Sequence, residues 1–119
     1  MYVDGFVIPV PADQAAAYRR LARTAGKVWR EHGALAVMEC RADDVKPGKW
    51  TSFPQAVKLK DGEEVWFSWI VYRSRRQRDA INAAVMKDAR MVRLMDPAKP
   101  MPFDAKRMFW GGFKPEVRL

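Results

Sequence analysis

The 119 residues include a single cysteine, Cys40, and a single histidine, His32. One cysteine cannot close an intrachain disulfide or build a thiolate metal cluster, and Cys40 reads as a small buried residue of a strand. One histidine, with no carboxylate at ligand spacing, lacks the partners of a zinc site, so no metal is expected. No apolar run approaches the ~18 residues of a membrane span, and the opening MYVD lacks the basic-then-apolar order of a signal peptide. The expectation is a cytoplasmic protein without a membrane partner. Ser68 has no GxSxG frame, which argues against a serine hydrolase. Glycine is sparse as well, seven in all, and its one pair, Gly111-Gly112 in KRMFWGGFK, is not followed by a helix. A phosphate cradle needs a helix N-terminus, so no nucleotide loop and no cofactor is expected.

Acidic residues are in deficit: 14 Asp and Glu face 22 Lys and Arg, for a formal net charge of +8. Such an excess raises nucleic acid as a partner. Its distribution argues the other way. Residues 1–60 carry ten basic and six acidic side chains, residues 61–119 carry twelve and eight, and each half contributes +4. Arg19, Arg23, Lys27 and Arg30 recur at helical spacing and form a stripe able to track phosphates, which keeps an RNA-associated protein as an alternative. The same stripe is also what the solvated face of any helix shows.

What is present suits one globular domain spanning 1–119: 49% hydrophobic and 30% charged residues, enough to bury a core. YVDGFVIPV (2–10) is rich in β-branched and aromatic residues and ends in prolines, so it reads as a first strand. From about Pro11 to His32, apolar residues recur at three and four, which predicts a helix stopped by Gly33; Gly26 within it suggests close packing. A second strand is expected at Ala34–Arg41, followed by a long connection. Gln55–Leu59 reads as either a strand or a helical turn, Asp61-Gly62 as a hairpin turn, and Val65–Tyr72 as a strand. Ser74 and Gln77 match a capping box and predict a second helix to about Arg90. Pro97, Pro100 and Pro102 mark a loop, and Lys106–Phe113 is the last strand. The order is β-α-β-(short element)-β-α-β, an α+β, ferredoxin-like plan with two helices on one face of an antiparallel sheet.

The strands also say something about a partner. Val65, Phe67, Trp69 and Val71 alternate with Trp66, Ser68, Ile70 and Tyr72, so both faces of this strand are largely apolar. Two helices cover one face. The other would expose roughly several hundred Å2 of apolar surface, which monomers seldom tolerate, and a twofold-related copy is the commonest cover. A homodimer joined sheet to sheet is expected.

The segments YVDGFVIPVP, AVKLKDGEEVWFSWIVYRSRRQRDAIN and MPFDAKRMFWGGF, in that order along nearly the whole chain, resemble the YbaA-like family of bacterial domains of unknown function, in the dimeric α+β barrel superfamily. The resemblance implies a ferredoxin-like subunit whose sheet pairs with its twin to form a barrel. Members of that superfamily include cofactor-independent monooxygenases acting on aromatic substrates, an analogy of fold alone.

Asp4 is the acid that stands out, because a carboxylate in an apolar strand needs a partner. Arg107, with Tyr72, is the candidate partner. A structural ion pair is the default, with a general acid or base as the sharper alternative. Five tryptophans and six phenylalanines supply material for an aromatic-walled pocket, and equally for a core. The expected pocket for a small apolar or aromatic molecule lies near Asp4, Trp66, Ser68, Tyr72 and Arg107. Trp110, Gly111, Gly112 and Phe113 are expected at the dimer interface or at a strand bulge. Nothing in the sequence assigns a reaction, and a structural or interaction dimer without a ligand is the remaining alternative.

Overall fold

A computed structural model describes residues 1–119. Strand β1 runs Tyr2–Pro11, and a 3-10 turn at Ala12–Gln14 leads into α1, Ala15–Glu31. Strand β2 is Ala36–Arg41, and the connection after it ends in a short helix, α2, at Phe53–Ala56. Strand β3 is Glu63–Tyr72, followed by α3 at Arg75–Lys87, α4 at Ala89–Leu94 and β4 at Phe109–Phe113. The sheet is antiparallel throughout, in the order β2-β3-β1-β4. Consecutive elements thus alternate across the sheet, which is the ferredoxin-like arrangement and class α+β.

Several local features follow from the residues. The Ser74 hydroxyl accepts from the Gln77 amide at 3.1 Å and starts α3. The expected second helix is divided: Asp88 adopts extended backbone (ψ 131), and its carboxylate accepts from the Arg90 amide at 2.9 Å, ending one helix and capping another. Hydrophobic periodicity runs through both pieces, so the break is invisible to it. The short element expected at 55–59 is a helical turn placed two residues earlier, Phe53–Ala56, with Ser52 as its cap. The last strand begins at Phe109, three residues later than expected, because Asp104 caps a turn through the Lys106 amide at 3.0 Å.

On the helix-covered face, Asp4, Ile8 and Val10 of β1 and Trp66, Ser68, Ile70 and Tyr72 of β3 are buried. One core cluster joins Val28, Ile70, Tyr72, Ile81, Val85 and Met91 across α1, β3, α3 and α4. Another joins Ile8, Val10, Ala15, Tyr18 and Trp66 at the other end of α1. Gly26 lets α1 sit close on the sheet, since a methyl there would lie 3.3 Å from Val37 Cγ1. The opposite face carries Val7 and Val65 packed with Val57 beside α2, then Phe67 and Phe113, which remain 41% and 65% exposed. No helix of the chain is long and apolar enough to cross a membrane.

Candidate functional site

Strand register places the polar residues of the covered face on a small grid. Asp4 pairs with Ile70 on one side and Gly112 on the other, while Phe6 pairs with Ser68 and Trp110, and Ser68 pairs with Glu39. Alternation along each strand turns all of these toward the helices. Above the floor, α1, α3, α4 and the 95–108 segment enclose a cavity of about 300 Å3. Of its 22 lining residues 17 are hydrophobic, and the polar exceptions include Asp4, Ser68, Glu39 and Asn82.

Asp4 is 1% exposed. Its neighbour is Arg78, from the first turns of α3, whose Nε lies 3.1 Å from Asp4 Oδ1. The charges are adjacent but not aligned as a hydrogen bond: both Asp4 oxygens and Arg78 Nε lack a hydrogen-bond partner. The other nitrogens of Arg78 are committed. Nη1 donates to Asp79 Oδ1 at 2.9 Å and Nη2 to the Tyr2 hydroxyl at 3.2 Å, with the guanidinium 4.9 Å from the centre of the Tyr2 ring. Gly112 makes this assembly possible, because a Cβ there would overlap Arg78 Nη2 and the Tyr2 hydroxyl.

Beside Asp4, Tyr72 is fully buried and donates its hydroxyl proton to Asn82 Oδ1 at 3.1 Å, an oxygen that also accepts from Trp29 Nε1 at 2.9 Å. Burial first, and then the Asp4 charge, push the Tyr72 hydroxyl well above the usual phenol range. Across the floor, the Tyr18 hydroxyl donates to Glu39 Oε2 at 2.9 Å. Burial raises the Glu39 carboxyl, against the opposing effect of that hydrogen bond, and burial with the Glu39 charge raises Tyr18.

The expected pocket residues therefore divide. Asp4 and Ser68 lie on the cavity floor, with Tyr72 behind Asp4. Trp66 lies under Tyr18, ring centres 4.8 Å apart, and faces the groove between α1 and the β2 edge rather than the cavity. Arg107 is elsewhere and is not the partner of Asp4. It sits in the turn before β4, where its guanidinium contacts Glu63 at 2.5 and 2.8 Å, Asp104 at 2.8 Å and the Lys58 carbonyl at 3.1 Å. The reason is the shortened last strand: Arg107 falls outside the sheet, and α3 delivers Arg78 over β1 instead. Among Trp110 to Phe113, the register through both glycines is continuous, so no bulge forms. Trp110 stacks on Phe6 at 5.9 Å and lines the cavity, while Phe113 projects from the uncovered face.

Sequence reasoning passed over Asn82, Glu39 and a methionine wall. Met86, Met91, Met95, Met101 and Met108 line the cavity, five of the seven methionines in the chain. Their crowding between residues 86 and 108 was the available signal. Methionine is unbranched and polarizable, and it lines surfaces that adapt to differently shaped guests. No three His, Cys, Asp or Glu side chains converge in a way that could hold a metal.

A family model described as a protein of unknown function, DUF1428, matches residues 1–105. The chain is 51% identical over 113 residues to the uncharacterized protein YbaA of Escherichia coli strain K12, covering 95% of this chain and 94% of that protein. The Shigella flexneri protein of the same name matches to the same extent. Among solved structures, a dimeric ferredoxin-like protein from an uncultured marine organism superposes with a TM-score of 0.55 over 99% of this chain and 98% of that one, at 13% identity.

Proposed function

The chain belongs to the DUF1428 family, and from that premise we propose that it binds a small, largely apolar or aromatic molecule in the cavity between sheet and helices, working as a homodimer in the cytoplasm. The observation that carries this is the cavity itself: about 300 Å3, 17 of 22 lining residues hydrophobic, with a few polar groups gathered on its floor. That composition is how proteins hold small planar guests. A core meant only for stability would close such a space, because unfilled volume costs stability. The methionine wall supports an adaptable fit.

The homodimer is supported by the uncovered face. Phe67, Phe113, Phe109 and Met38 are each more than 40% exposed on one side of the sheet, and a second copy packed sheet to sheet would remove them from water. The marine ferredoxin-like protein is described as dimeric, which agrees with a homodimer. A lone cysteine agrees with a reducing compartment.

The test of the cavity is titration with N-phenyl-1-naphthylamine, a neutral dye whose emission rises in apolar surroundings. Saturable binding of one dye per protomer is expected, together with its loss in Ala25→Phe, which narrows the cavity. Absence of saturable binding by this dye and by a panel of neutral aromatics would sink the proposal.

One observation favours a second reading. Arg19, Arg23, Lys27, Arg30 and Arg41 line a single groove along α1 and β2, a track for phosphates. Arg30 spends part of its guanidinium on the Ala34 and Leu35 carbonyls. Binding of single-stranded RNA at low salt, weakening steeply as salt rises, would favour it over the cavity.

A further inference from the structure

Charge is sorted by sign between the cavity and its rim. The 22 residues that line the cavity include no Lys, Arg or His, and its acids, Asp4 and Glu39, sit on the floor. A second depression, on the surface between α1, α4 and the segment after α4, shows the opposite. Arg90, Arg93 and Lys99 line it, and no Asp or Glu does. The two spaces adjoin, sharing Leu21 of α1, Leu94 of α4 and Met101. An apolar cavity thus borders, across three apolar side chains, on a basic rim.

The rim cations differ in what holds them. Arg90 is engaged, meeting Glu31 at 2.6 Å and Asp88 at 2.9 Å. Arg93 and Lys99 form no salt bridge, and Lys99 reaches only the Arg93 carbonyl, at 3.5 Å. Asp96, close by in sequence, accepts from the Ala98 amide at 2.9 Å and pairs with neither. Unpaired cations are ordinary in a chain of net charge +8; these two are set apart by the apolar side chains that join them to the cavity.

The basic groove along α1 and β2 also borders the cavity, at Ala22, Gly26, Val37 and Glu39. There the helix lies close on the strand, since a methyl on Gly26 would stand 3.3 Å from Val37 Cγ1, and the Glu39 carboxylate would face an incoming anion. On the α4 side the dividing side chains are Leu and Met, which yield by rotamer change, and no acid stands among them.

We infer that the cavity takes an amphipathic oxyanion, with an aromatic or aliphatic body inside and one carboxylate, sulfonate or phosphate head held outside by Arg93 and Lys99. The orientation follows from charge. Head inward, the anion would meet Asp4 and Glu39 with no cation in the lining. Head outward, it stays in contact with water and gains two cations able to form charge-assisted hydrogen bonds.

This inference rests on the cavity being a binding site, and its test separates the two. The probes are N-phenyl-1-naphthylamine and 8-anilinonaphthalene-1-sulfonate, the same aromatic body without and with a sulfonate. Each is titrated by fluorescence into the whole chain at low ionic strength, where exposed charges are least screened. Both are expected to bind at one per protomer. In Arg93→Gln/Lys99→Gln the sulfonated dye should bind at least about tenfold more weakly, and the neutral dye within about twofold of its original affinity. Arg19→Gln/Arg23→Gln, which removes two cations from the groove across α1, should leave both dyes within about twofold. All four side chains are exposed, so neither variant threatens the fold. Three results would overturn the rim and leave the cavity standing: an unchanged sulfonated dye in the rim variant, an equal loss in both variants, or binding of the neutral dye alone. Failure of both dyes to bind would overturn the cavity and the inference together.

Discussion

The two faces of one sheet are built to different rules. Toward the helices, the strands carry Asp4, Ser68, Glu39 and Tyr72 among their apolar residues, with Glu39 and Tyr72 held by directed hydrogen bonds and Asp4 set beside Arg78. Away from the helices, Val3, Val7, Val65, Phe67, Trp69, Val71 and Phe113 form an apolar face whose one strand carboxylate, Glu63 at its end, is held by Arg107. Polar groups are expensive to bury and apolar groups are expensive to expose, so each face runs against its own environment in the isolated subunit. The covered face gathers its polar residues on the cavity floor. The open face leaves Phe67 and Phe113 41% and 65% exposed.

A second contrast lies between two arginines of nearly equal burial, 15% exposed for Arg78 and 14% for Arg107. Arg107 grips Glu63 through two nitrogens, adds Asp104 and a backbone carbonyl, and pins the turn before β4 to the start of β3. Its geometry is that of a bidentate structural clamp. Arg78 neutralises Asp4 without bonding to it. Two arginines with similar burial thus serve different ends, and the completeness of their hydrogen bonding tells them apart.

The largest effect should come from Arg78→Met, which strands the Asp4 carboxylate in an apolar wall without a counter-charge. A loss of about 3–5 kcal/mol in denaturant unfolding is expected, largely recovered in Asp4→Leu/Arg78→Met. A single variant as stable as the unaltered protein would mean that Asp4 is not charged in the fold.

Next in size, Phe67→Asp on the open face should weaken self-association by at least about 100-fold, or about 2.7 kcal/mol, in sedimentation equilibrium. Dye binding in the cavity should stay within about threefold. Loss of the cavity in step with the dimer would show that the two faces are not independent.

The paired glycines give a finer cut. Gly112→Ala intrudes on Arg78 and Tyr2 and should cost about 1–3 kcal/mol, whereas Gly111→Ala meets only the Phe113 ring edge at 3.6 Å and should fall within about 0.5 kcal/mol. Equal costs would remove the distinction between covered and open faces at this strand.

The smallest effect lies at the Arg107 clamp. Hydrogen bonds from Arg107, above other causes, hold the Glu63 and Asp104 carboxyls below their ordinary values of 4.5 and 3.8. Carboxyls with a depressed folded pKa contribute stability that is fully present above those ordinary values and is lost as pH falls through the lower folded ones. The stability gap between the unaltered protein and Arg107→Met should therefore be constant above about pH 5 and narrow below 4.5. A gap that widens in acid would reverse the sign assigned to the clamp.

Much of the fold was legible in the residues. Alternation in VWFSWIVY set the two apolar faces of β3, and Ser74 with Gln77 marked the start of α3 in the structure as in the pattern. Asp4 was legible as an anomaly, a carboxylate within an apolar strand. Its partner was not. Arg107 looks close because β4 pairs with β1, yet the Asp104 turn ends β4 before reaching it. Arg78, 74 residues from Asp4 in the chain, is brought over β1 by the way α3 crosses the sheet.

By itself, the sequence determined the element order, the ferredoxin-like class and the two-sided apolar sheet, because periodicity and capping act between near neighbours along the chain. Only the tertiary structure decided that Gly112 makes room for Arg78 and Tyr2, that five methionines gather into one wall, and that Arg78 rather than Arg107 is the counter-charge of Asp4. Those are matters of distance and angle between elements far apart in sequence, where a shift of an ångström separates a hydrogen bond from mere proximity.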